Sequence, residues 1–131
     1  MNRNFAIKDA VLFEFLGEVL DLRSECELAS VHFQPGIVSS VEMLWSISGS
    51  NQHLQILFTQ VHCFLVKERD QEYPLQSGVT LLIAGFSSRN LPDFQPELYV
   101  EPTYEMNYMT FVMNDSSAFL IKAESGVIRR L

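Results

Sequence analysis

"AIKDAVLFEFLGEVLDL", Ala6 to Leu22, is the stretch on which the fold turns. Val11, Leu12, Phe15, Leu16 and Val19 fall at helical spacing. Lys8, Asp9, Glu14, Glu18 and Asp21 lie largely off that stripe. This pattern predicts one amphipathic helix with its apolar face turned to a core. Gly17 costs such a helix about 1 kcal/mol relative to Ala, and leaves room for it to sit close to a sheet.

Beyond Leu22 the period changes. "ECELASVHF" alternates and ends at "QPG", a turn signal. In "IVSSVEMLWSIS", Ile37, Val41, Met43, Trp45 and Ile47 share one face, and Ser40, Glu42, Ser46 and Ser48 the other. Period two over this length predicts a half-buried strand. "GSNQ" then reads as a hairpin connection to "LQILFTQVHCFLV", the most apolar run in the chain. "KERDQEYPLQSG" and "SSRNLPDFQPE" read as irregular, and "VTLLIAGF", "LYVEP", "NYMTFVMN", "SAFLIKA" and "GVIRRL" as short strands. "NDSS" and "ESG" are the turn signals between the last of them. With no second helical pattern between strands, a parallel α/β fold is disfavoured. The expectation is one α+β domain over residues 1–131. An N-terminal helix packs on a mostly antiparallel, twisted sheet of about seven strands.

Composition narrows the function. The chain has 131 residues, is 47% hydrophobic and carries a net charge of −7. That is globular and large enough to fold without a disulfide or a metal. An acidic domain repels phosphate backbones and anionic lipid surfaces, so neither nucleic acid nor membrane is an expected partner. The first residues lack an uninterrupted signal-peptide core, and no run reaches the roughly 18 apolar residues of a membrane span. Two cysteines are too few for a secreted disulfide scaffold, so a cytoplasmic protein with reduced thiols is expected.

The candidate chemistry is sparse. His62 and Cys63 adjoin, but in a regular strand neighbours point to opposite faces, which prevents a thiolate–imidazolium dyad unless a β-bulge intervenes. His32, His53 and His62 show no metal-ligand spacing, and no nucleophile elbow, dinucleotide fingerprint or phosphate loop is present. No catalytic residue, metal or cofactor is expected. Glu68, Asp70 and Glu72 form an acidic loop, and Phe94, Tyr99, Glu101, Tyr104, Tyr108 and Phe111 make the C-terminal third aromatic and acidic. Tyrosine-rich irregular segments suit interfaces, because the ring buries much area and keeps a polar tip. Glu68, Asp70, Glu72, Phe94, Tyr99, Glu101 and Tyr104 are therefore the candidate partner-binding residues.

Glu27, Leu28, Ser30, Val31 and Phe33, followed by Leu54, Ile56, Phe58, Val61, Phe64 and Val66, form a spacing that resembles small bacterial β-rich immunity-type (Imm50-like) domains. The resemblance covers about a third of the chain. It implies a non-catalytic protein that binds a partner, such as a toxin, through an acidic face. Two functions are thus expected in competition. One is a non-enzymatic interaction protein that binds a protein partner or itself. The other is a small-molecule-binding domain or enzyme whose site is assembled from distant strands.

Overall fold

In a computed structural model that describes residues 1–68, 78–87, 98 and 108–131, the chain is built almost entirely of strands. They are β1 (Asn2–Arg3), β2 (Phe5–Asp9), β3 (Leu12–Phe15), β4 (Glu18–Asp21), β5 (Cys26–Gln34), β6 (Ser40–Ile47), β7 (His53–Lys67), β8 (Leu81–Ser87), β9 (Tyr108–Met113) and β10 (Ala118–Arg130). A single helical turn, α1 (Leu22–Glu25), follows β4. The α+β expectation is therefore corrected: the fold is all-β among the described residues.

The predicted N-terminal helix is instead a three-stranded antiparallel meander, β2–β3–β4. The residues that turn inward are Phe5 and Ile7 of β2, Phe13 and Phe15 of β3, then Leu20 of β4 and Leu22 at the start of α1, two apart in each pair. On a helix these six would be scattered round the whole circumference. Leu16 and Val19, members of the apparent helical stripe, are 78% and 56% exposed. Leu16 and Gly17 form the two-residue connection between β3 and β4, with φ of 50° and 78°. Two positive φ values match a type I′ turn, whose twist suits a hairpin. The glycine marks this turn rather than a close helix–sheet approach.

α1 is fixed by its ends. The Asp21 carboxylate accepts from the amides of Arg23 (2.9 Å) and Ser24 (3.0 Å), while Glu25 accepts from the Asp21 amide (2.7 Å), a reciprocal cap. Burial alone would raise the Asp21 pKa, but the hydrogen bonds from Ser24 and Arg23 and the Arg23 charge outweigh it and hold it below the ordinary value.

The larger sheet runs β5–β6–β7–β10–β9–β8, antiparallel throughout, with β1 added parallel to β10 at Ser125 and Gly126. β7 and β10 pair along nearly their whole length. β6 flanks only the first part of β7, ending at Ser40 opposite Thr59. β9 flanks only the first part of β10, ending at Met109 opposite Ile121. The sheet is thus two halves that share a long ribbon. At its middle the register slips between Lys122 and Ala123, so that Cys63 and Val61 find partners and His62 does not. Gln60, beside the slip, has φ 52°. Such a bulge bends the strand and increases its twist, and here it lets one half fold over the other.

The inner faces of the two halves meet on aromatic rings. Phe111 of β9 lies 6.2 Å from Phe58 and 6.3 Å from Trp45, measured between ring centres. Phe13 of the meander stacks on the same ring at 6.3 Å and 12°. The edges of the sheet are drawn together by a bond from Leu28 N to Val79 O (2.8 Å). Ala84 N donates to Ala10 O (2.7 Å), and the Arg23 guanidinium donates to the carbonyls of Leu81 and Leu82, so the β8 edge is covered by the meander and α1. Covering an edge in this way protects it from pairing with other chains.

One further correction concerns the C-terminus. "SAFLIKA" and "GVIRRL" are one strand, and "ESG" is not a turn, since Ser125 and Gly126 pair with Thr59 and Phe58. A Cβ on Gly126 would stand 3.0 Å from the Phe58 ring, so the glycine makes room for an aromatic side chain.

Candidate functional site

The bulge in β7 decides the His62–Cys63 question. Cys63 stands opposite Lys122 in the ladder, and His62 is the extra residue. The His62 ring turns to β10, where Nε2 lies 3.3 Å from Oε1 of Glu124. Both side chains are more than half exposed. An exposed ion pair contributes about 0–1 kcal/mol. Cys63 is half-buried, and no hydrogen bond joins it to His62 or to His32 among the described residues. His32 is exposed on β5, in register with Glu42 of β6.

The other thiol is sealed in. Cys26 is 1% exposed at the start of β5, and burial pushes its pKa up to about 11, with the nearby Glu25 adding to the shift. A thiol in that state is protonated at neutral pH and unreactive. Among the described residues no three of His, Cys, Asp and Glu are grouped to hold a metal ion.

Two polar clusters are structural. Gln55 is almost fully buried on the outer face of β7, donating to Glu42 and accepting from Arg129, both at 2.5 Å. The three side chains satisfy one another across β6, β7 and β10, as buried polar groups must. On the other half, Ser87 and Thr110 share a buried hydrogen bond of 2.7 Å beside Leu120, Val112 and Ala118. Here both faces of the sheet are buried.

The candidate partner-binding residues fare unevenly. Glu68 is exposed immediately after β7. Asp70, Glu72, Phe94, Tyr99, Glu101 and Tyr104 lie outside the described residues. Of the other aromatics in that third of the chain, Phe111 is the centre of the core and Tyr108 packs half-buried against the cluster of Val112, Ala118 and Leu120.

What the structure adds is an apolar rim. Phe33 of β5 faces inward from one half of the sheet and Phe64 of β7 from the other, and they stack at 5.6 Å and 28°. Phe119 of β10 continues the stack at 6.5 Å and 8° from Phe64. Val66 pairs in register with Phe119. Phe33 and Val66 remain 42% and 52% exposed. The turn that follows β5 adds Ile37, fully exposed, and Val38, 58% exposed. The turn is held beside the bulge by Ser39, whose hydroxyl donates to Val61 O (2.8 Å) and whose carbonyl accepts from Val61 N (3.3 Å). Glu68 follows Val66 by two residues at the same end of β7. Among the described residues, four of the nine exposed large apolar side chains thus belong to the Phe33–Phe64–Phe119 stack, its register partner Val66 and the turn that follows β5, where singly scattered ones would be unremarked.

Sequence reasoning missed this rim. It assigned Ile37 to the buried face of β6, but the strand begins only at Ser40. The available signal was "PGIV": two β-branched apolar residues in a turn, where polar residues are the rule.

Compared with known proteins, the chain matches no family model, no curated protein and no solved structure. The immunity-type resemblance therefore gains no support from a family match.

Proposed function

We propose that the protein is a non-enzymatic interaction module that binds a protein partner at the rim formed by Phe33, Ile37, Val38 and Val66. The clustering of exposed apolar side chains at this rim carries the reading. On the β8 edge, which Ala10 and Arg23 cover, Leu82 alone among the described residues is a large apolar side chain left exposed. The net charge of −7 favours a partner with a basic surface, and rim charges such as Glu68 act chiefly on the rate of encounter. Both cysteines are free thiols, which fits action in the cytoplasm. An immunity-like role, in which the partner is a toxin, is one form of this reading.

Ile37→Ser with Val66→Ser tests it, because Ile37 is fully and Val66 half exposed. The double variant is expected to melt within a few degrees of the wild type. Used as bait in native lysate, the wild type is expected to retain a partner that the variant loses, with retention weakening as salt rises. Retention of the same proteins by both baits would overturn the assignment of the rim. Dimerisation of the pure protein that the variant abolishes would make the partner a second copy.

A further inference from the structure

We draw no further inference here: the strongest candidate, the outer edge of β5 between Ser30 and Gln34 with its largely exposed side chains, adjoins the rim already described and nothing in the structure shows what covers it.

Discussion

At the scale of single residues, the core is organised round one ring. Phe111 touches Phe13 from the meander and Trp45 and Phe58 from the facing half-sheet. Truncating it removes the common neighbour of all three, and the site cannot collapse from every side at once. Phe111→Ala is expected to cost about 3–5 kcal/mol in denaturant unfolding, a large share of the roughly 5–15 kcal/mol typical of a domain. A loss under 1 kcal/mol would contradict its central position. Cys26 gives a second residue-scale test. Its pKa in the folded chain, about 11, lies above the ordinary 9.0. The stability this contributes is complete below pH 9, where the thiol is neutral in both states. Between pH 9 and 11 the unfolded chain ionises and the folded one does not, so stability falls as pH rises. In Cys63→Ser, whose one remaining thiol is Cys26, alkylation at pH 8 is expected only on addition of denaturant. Prompt labelling of the native variant would show that Cys26 is not sealed.

At the scale of elements, the meander is where sequence and structure part. Leu16 adopts a positive φ that costs an L-residue about 1–2 kcal/mol, and its side chain points to solvent. Leu16→Asn would create the Asn-Gly pair favoured in this turn. It is expected to raise stability by about 0.5–1 kcal/mol, read from the denaturation midpoint. In an amphipathic helix the same change would remove an apolar contact and lower the midpoint. Strands β5 and β6 were legible because each alternates over eight or more residues, and β7 and β9 because they are apolar runs bounded by Gly, Asn or Ser signals. The meander was not, because its strands are only four or five residues long and its turns are apolar. Ala10–Val11 and Leu16–Gly17 fill the gaps between inward-facing pairs with hydrophobic residues, and the sum imitates a period of 3.6. The long β10 was misread for a related reason. Gly126 looks like punctuation in one dimension, but it answers a packing demand from Phe58 that only the partner strand reveals. The bulge at His62 likewise depends on register with β10, which no local pattern encodes.

At the scale of the whole molecule, two half-sheets share a bent β7–β10 ribbon, the meander adds Phe13 to their core, and Phe33, Phe64 and Phe119 stack at the rim. The architecture joins the proposed function at that rim. The same bend that brings the inner faces together sets Phe33 over Phe64 and holds the Ile37–Val38 turn beside Val61. The rim was illegible in the sequence because its members come from β5, the following turn, β7 and β10. All of this rests on the N-terminal segment being a sheet, since a helix would turn Phe13 and Phe15, both buried here, to nearly opposite sides. The most direct test is a nuclear Overhauser spectrum of residues 5–21. The fold predicts cross-strand backbone contacts between Ala6 and Glu14 and between Glu14 and Val19, following the ladder registers. A continuous series of contacts between residues three apart from Ala6 to Leu20, without those cross-strand peaks, would contradict it.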